Sequence, residues 1–357
     1  LSSYTVLGMM SGTSLDGLDL ALVRLEETNG HWSHRFLKTG CTDYTSAMRQ
    51  RLEQAIRMPA PELLAFHAEY GKWLGKQAKA FLADYGETVD AIASHGHTVH
   101  HLPQKGFTFQ MGCPQHLALE AGIRTIGDFR SLDMALGGQG APLVPIGDRL
   151  LFGAYDFCLN LGGISNISFE KDGKRLAFDI GVANMLLNAL SRLASAAFDA
   201  GGEMARKGVL IPEFLNRLDA LSYYDLPFPK STGYEWFSSE VWPIAKARKE
   251  APKDLLHTAV VHIARQIARQ VSTLSTRKES SLLVTGGGAY NTFLMEVLQE
   301  KLPEGVTLVI PDSEQIAYKE ALVFALLGAL RLRGEVNVLS SVTGGSRDSC
   351  SGVLFEP

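Results

Sequence analysis

Cysteine is scarce in this chain of 357 residues, and Cys41, Cys113, Cys158 and Cys350 stand apart with no C-x-x-C pair. That spacing argues against a disulfide framework and a cysteine-built zinc site, and reads as reduced thiols in a cytoplasmic protein. No apolar run approaches the roughly 18 residues of a membrane span, and the opening LSSYTVLGMM lacks the basic stretch and cleavage site of a leader. Surplus charge is missing too: 34 Lys and Arg against 38 Asp and Glu give a net charge of -4, with no basic tail or stripe. The composition therefore favours small-molecule chemistry, with no nucleic acid and no membrane as partner. There is neither a low-complexity linker nor a short-period repeat. With 46% hydrophobic residues, a chain of this length is expected to fold as about two globular domains.

What the chain does have is glycine placed in turns between apolar strands. Residues 6–25, VLGMMSGTSLDGLDLALVRL, set a Gly/Ser/Thr/Asp turn between two strands. A Walker loop would need Lys-Ser/Thr before a helix, and a dinucleotide fold would need G-x-G-x-x-G opening one. Gly12 and Gly17 permit close backbone approach, Thr13 and Ser14 add hydroxyl donors, and Asp16 and Asp19 suit a hydrated magnesium ion. Alone, the segment reads equally as an ordinary hairpin. A second form, FCLNLGGISNISFE over residues 157–170, again puts Gly162 and Gly163 between strands. RLAFDIG, residues 175–181, then reads as a strand ending on Asp179 before a helical pattern. A third element, SLLVTGGGAYNTFLMEVL over residues 281–298, is a buried strand, three glycines (Gly286, Gly287, Gly288) and an amphipathic helix, which lets backbone approach a flat adenine or ribose. Three glycine turns in this order are the layout of actin-like, hexokinase-like ATP-binding folds, which close two α/β domains over a nucleotide.

The remaining pattern alternates strands and helices. Residues 60–85 form a long amphipathic helix near Pro61, followed by strands over 89–96 and 108–112 and a short helix from Pro114. The Gly-rich stretch 128–145 reads as the passage between domains, giving a first domain of 1–140 and a second of 141–357, with the terminal segment free to pack back on the first. Long helices are expected over 253–275 and 318–333, and the final SSVTGGSRDSCSG as loop.

Among candidate reactive groups, His95, His97, His100 and His101 cluster in HGHTVHH, but no third ligand is suitably spaced, so they read as hydrogen-bonding or loop histidines and not a metal site. Ser11, Ser14 and Ser165 lack the G-x-S-x-G setting of a hydrolase nucleophile. Asp179, at the end of an apolar strand, is placed either to deprotonate a nucleophile or to cap the following helix. Glu320, flanked by apolar helix positions, is either a functional acid or a solvated first-turn glutamate.

These motifs resemble the anhydro-N-acetylmuramic acid kinases, bacterial cytosolic enzymes of the actin-like ATPase superfamily. The resemblance runs through MSGTSLDGLD (10–19), SHGHT (94–98), GDFRSLD with GGQGAPLVP (127–145), NLGGISNI (160–167), FDIGVAN (178–184), TGGGAYN (285–291) and KEALVFALLG (319–328). It implies an α/β, two-domain actin-like (ribonuclease H-like) ATPase fold with an interdomain cleft. It also implies ATP- and Mg2+-dependent opening of 1,6-anhydro-N-acetylmuramic acid by water with phosphorylation of O6, in a cytoplasmic homodimer. By position, Asp179 would be the base, with Glu320 as a second catalytic acid. Gly12, Thr13, Ser14, Leu15, Asp16, Gly17, Leu18 and Asp19, with Gly162, Gly163 and Asn166, would hold the phosphates, and Asp16 and Asp19 the metal. Gly286, Gly287, Gly288 and Asn291 would meet the nucleoside. Arg130 would meet the sugar's lactyl carboxylate and His97 a sugar hydroxyl. The chain departs from the resemblance at Ile180 and Val182, where Thr and Pro are common, at Asn188, where an acid is common, and at His97, where Gln is usual.

Overall fold

The computed structural model describes residues 2–12 and 15–357. The chain divides into two compact units, Leu1–Phe152 with Tyr318–Pro357, and Gly153–Ala317. The first boundary lies some way beyond the 140/141 passage expected from glycine content. The reason is local: after the Gly-rich stretch the helix Pro145–Leu151 still belongs to the first unit, with Gly147 packed against Val323.

The first unit opens with β1 (Ser2–Ser11), β2 (Gly17–Thr28) and β3 (His31–Asp43), an antiparallel meander. The expected hairpin of residues 6–25 is the β1–β2 pair. After the helix Ala60–Phe81 the chain returns as β4 (Ala91–Leu102), parallel to β1, then β5 (Phe107–Met111) and, past the helix Pro114–Ala121, β6 (Thr125–Gly127), parallel to β4. Central β1 is continuously buried from Thr5 to Met9 because both its faces are covered. On one side Leu7 and Met9 share a core with Phe66, Tyr70 and Leu74, the inward stripe of Ala60–Phe81. On the other, Gly8 lies so close to Ala321 that a Cβ would overlap the Ala321 carbonyl oxygen.

The second unit repeats the arrangement. Antiparallel β7 (Phe157–Leu161), β8 (Ile164–Lys171) and β9 (Lys174–Val182) precede the helix Asn184–Arg192, and parallel β10 (Ser280–Thr285) and β11 (Val306–Val309) follow the helices Pro252–Leu274 and Thr292–Lys301. The sheet order is β11-β10-β7-β8-β9. In the first unit the matching order is β6-β4-β1-β2-β3, with β5 set aside as a hairpin partner of β4. Both sheets thus carry three meandering strands and then two parallel ones on the far side of the first strand, the repeated plan expected of an actin-like ATPase.

The last long helix, Ser313–Arg333, begins five residues before the predicted start, which puts Glu320 beyond its first turn. The terminal tail is not loop throughout. A short helix Ser340–Thr343 lies within the 340–352 segment expected as loop, and beyond that segment β12 (Val353–Phe355) pairs antiparallel with β6. Its serines and glycines hid this, since the order comes from long-range pairing. No helix among the described residues is long and apolar enough to cross a membrane.

Candidate active site

The register of the second sheet gathers the motifs that lie far apart in sequence. Asp179 of β9 pairs with Asn166 of β8, Asn166 with Asn160 of β7, and Asn160 with Thr285 of β10. The base candidate, the second glycine hairpin and the strand entering the third glycine run therefore share one row. Ile180 is skipped in the β8–β9 pairing, a bulge of the kind that re-aims a neighbouring side chain.

Asp179 is half-buried and does not cap the helix: the cap position is Ala183, with no side-chain cap bond. Its Oδ2 accepts from the Thr232 amide at 3.0 Å, its own amide donates to the Lys230 carbonyl at 3.1 Å, and the Tyr223 hydroxyl donates to its carbonyl at 2.8 Å. Burial raises the Asp179 carboxyl above the usual carboxylate range, opposed by the Thr232 amide and the Ser231 hydroxyl. Sequence reasoning missed this clamp of residues 223–232. The signal was the run Pro229–Lys230–Ser231–Thr232–Gly233, whose hydroxyls and glycine resemble the other turns.

The Gly162 carbonyl accepts from the Asn184 amide at 3.1 Å, and the Gly163 carbonyl accepts from the amides of Ala183 at 2.9 Å and Met185 at 3.1 Å. The second hairpin is thus tied to the start of the helix Asn184–Arg192. Gly286 and Gly288 pack against Asn160 and Leu161, leaving no room for side chains at those two positions. Asn291 caps the helix Thr292–Lys301, its Oδ1 accepting from the Leu294 amide at 2.9 Å, so its side chain is occupied.

In the first unit, Ser11 of β1 pairs with His97 of β4. Ser11 Oγ stands 3.0 Å from His97 Nδ1 and accepts from Tyr44, whose hydroxyl also meets Tyr70 at 2.7 Å. The HGHTVHH segment is therefore strand and not loop, running to Leu102 with β5 paired alongside. Burial pushes His97 down to about 4. His95 is also held neutral by burial and by Arg130, whose Nε and Nη2 lie 3.1 and 2.9 Å from its Nε2. Arg130 Nη1 donates to the Gly140 carbonyl at 2.6 Å, and burial lowers the guanidinium to about 10. Asp133 pins this loop, accepting from the Gly140 amide at 2.7 Å and the Thr343 hydroxyl at 2.6 Å.

Of the first hairpin, Thr13 and Ser14 lie outside the described residues. Leu15 and Leu18 are buried in the core, which leaves only their backbone to meet a ligand. Gly12 is half-buried, and Gly17 is buried where β2 begins, opposite Asp43. Asp16 is exposed, while Asp19 is half-buried. Burial and the Asp16 charge raise Asp19, opposed by a hydrogen bond from the Cys41 thiol. Glu320 is solvent-accessible yet crowded by protein. That crowding and the charge of Asp19 raise it, against Arg130 and Lys319. Lys319 in turn is paired with Asp148 at 2.7 Å. No group of three or more His, Cys, Asp or Glu among the described residues is arranged to enclose a metal.

Similarity to known proteins agrees with these motifs. The family described as anhydro-N-acetylmuramic acid kinase matches residues 4–357. The anhydro-N-acetylmuramic acid kinase of Aliivibrio fischeri (strain ATCC 700601 / ES114) is 36% identical, with 98% of each chain covered. That of Actinobacillus pleuropneumoniae serotype 3 (strain JL03) is 34% identical, again with 98% of each covered. Among solved structures, the activator of the 2-hydroxyisocaproyl-CoA dehydratase from Clostridium difficile with bound ADPNP is 10% identical with a TM-score of 0.45, covering 92% of this chain and 97% of that one. The family match over nearly the whole length, with relatives above one-third identity, shows that this chain belongs to the anhydro-N-acetylmuramic acid kinase family.

Proposed function

We propose that this protein uses ATP and one water to convert 1,6-anhydro-N-acetylmuramic acid to N-acetylmuramic acid 6-phosphate, in the recycling of cell-wall muropeptides. The observation that carries the reading is Asp179: a half-buried carboxyl raised by burial, fixed by a backbone amide, in the same row as the second glycine hairpin. Water attacks the anomeric carbon, the C1–O6 bond breaks with its electron pair left on O6, and O6 takes the γ-phosphoryl group from ATP to release ADP. Asp179 orients the water and accepts its proton, which then passes to solvent. Such a base contributes about 10²- to 10⁴-fold in rate. Residues 12–19 and the turn from Gly162 to Asn166 hold the phosphates, and the backbone of Gly286, Gly287 and Gly288 meets the nucleoside. Arg130 reads the lactyl carboxylate and His97 a sugar hydroxyl through Nε2.

The acidic residues fit magnesium. Asp19 is raised by burial and by the charge of Asp16, and Glu320 by crowding and by the charge of Asp19, and a divalent cation relieves the like-charge part. Asp16 and Asp19 would hold it, one or two carboxylates plus water being the usual magnesium set. When bound, the ion offsets the charge of the transferring phosphoryl group. The family resemblance further suggests a cytoplasmic homodimer.

Running the reaction in ¹⁸O-water tests the chemistry. The label is expected on the anomeric hydroxyl of a sugar 6-phosphate and absent from phosphate. Label in inorganic phosphate would make the protein an ATPase, and ring opening without ATP would make it a glycosidase.

A further inference from the structure

His262 is wholly buried on the helix Pro252–Leu274, and it makes two hydrogen bonds. Its Nδ1 lies 2.6 Å from Asp219 Oδ1 and its Nε2 lies 2.8 Å from the Tyr224 hydroxyl. A carboxylate only accepts, so Nδ1 carries a proton and donates to Asp219, while Nε2 and the Tyr224 hydroxyl share the second hydrogen bond. Asp219 is completed by Gln266 Nε2 at 2.9 Å and Arg265 Nη1 at 3.1 Å. Polar groups in an apolar core cost stability unless satisfied, and this chain of three is satisfied at each link.

The far end of the chain meets the strand that bears Asp179. The Tyr224 ring lies against Gly181, where a Cβ would fall 2.5 Å from Cε1 and 2.9 Å from the hydroxyl oxygen. The Val182 amide approaches the same hydroxyl. Its neighbour Tyr223 holds the Asp179 carbonyl, and Lys230 Nζ donates to the carbonyls of both tyrosines at 3.0 and 3.3 Å. The segment that clamps Asp179 is thereby fastened to the core helix by Tyr224.

We propose that Asp219, His262 and Tyr224 form a positioning relay that sets the backbone of Gly181 and Val182, and through it the aim of the Asp179 carboxylate. The proposal rests on Asp179 being the base. It touches no substrate, so its loss lowers turnover without weakening binding: a sub-ångström misplacement of a base costs rate more than affinity.

The test is steady-state ADP release with 1,6-anhydro-N-acetylmuramic acid and Mg-ATP, scored per folded molecule, with a thermal melt of each protein. Tyr224→Phe keeps the ring on Gly181 and is expected to lower kcat about 10-fold with both KM values within about twofold. The double variant Tyr224→Phe/His262→Leu removes both partners, so it is expected to regain melting temperature while kcat stays low. Wild-type kcat in Tyr224→Phe, a KM that rises as kcat falls, or kcat that returns together with melting temperature in the double variant would each overturn the relay while leaving Asp179 as base. Absence of sugar-dependent turnover in the natural protein would take both readings down.

Discussion

Ser11 Oγ lies 3.0 Å from His97 Nδ1, joining the last residue of β1 to the strand beside it just before the first glycine turn. Because Tyr44 donates to the same oxygen, the Ser11 hydrogen is left for Nδ1 and the ring proton stays on Nε2. Burial holds His97 at about 4, against roughly 6.5 for an unfolded histidine. Between those values the unfolded chain binds more protons than the folded one, so stability falls as pH drops through the window and the loss ends below it. His97→Gln is expected to lose less stability than the natural protein over that range, by up to roughly 3 kcal/mol in urea unfolding. A difference that stays flat from pH 7 to pH 4 would contradict the neutral buried ring.

The close approach of β1 and the helix Ser313–Arg333 gives a stability prediction independent of function. Gly8→Ala drives a methyl group into the Ala321 carbonyl, backbone against backbone, where no rotamer change relieves the clash. Destabilisation of about 3 kcal/mol or more is expected in thermal or chemical unfolding. An unchanged midpoint would contradict this packing.

Much of this was legible before folding was considered, for identifiable reasons. The glycine turns at 12–17 and 162–163 interrupt apolar runs of strand length, and both are hairpins as read. Asp179 stood out as a carboxylate late in an apolar run, although β9 does not end on it as expected and continues to Val182. The strand nature of HGHTVHH was hidden, since its pairing with β5 is set by tertiary contact and polar residues carry no strand period. Tyr44 and Tyr223 were invisible for a related cause: the hydroxyl of each donates to a residue more than 30 positions away, and sequence spacing holds no trace of it.

Asp179 also sets a pH dependence. The base works ionised, so kcat is expected to fall as pH drops through a value above that of an ordinary aspartate, because burial raises this carboxyl. A kcat profile measured from pH 4 to pH 8 checks the acid limb. Constant kcat down to pH 4 would contradict a raised base.

Magnesium dependence is expected to run through the first hairpin. Asp19→Asn is predicted to raise the magnesium concentration for half-maximal rate about 10-fold or more, with a smaller change in kcat at saturation. Titration of the rate with Mg2+ at fixed ATP checks this. An unaltered magnesium requirement would move the metal away from Asp19.

The most direct test of the catalytic assignment is sugar-dependent ADP release by the natural protein and by Asp179→Asn, with 1,6-anhydro-N-acetylmuramic acid, ATP and magnesium. The account predicts ADP formed in step with a sugar 6-phosphate, and at least about 100-fold slower in the variant with folding unchanged. A folded natural protein that releases no ADP with this sugar, or a variant as fast as the natural protein, would contradict it.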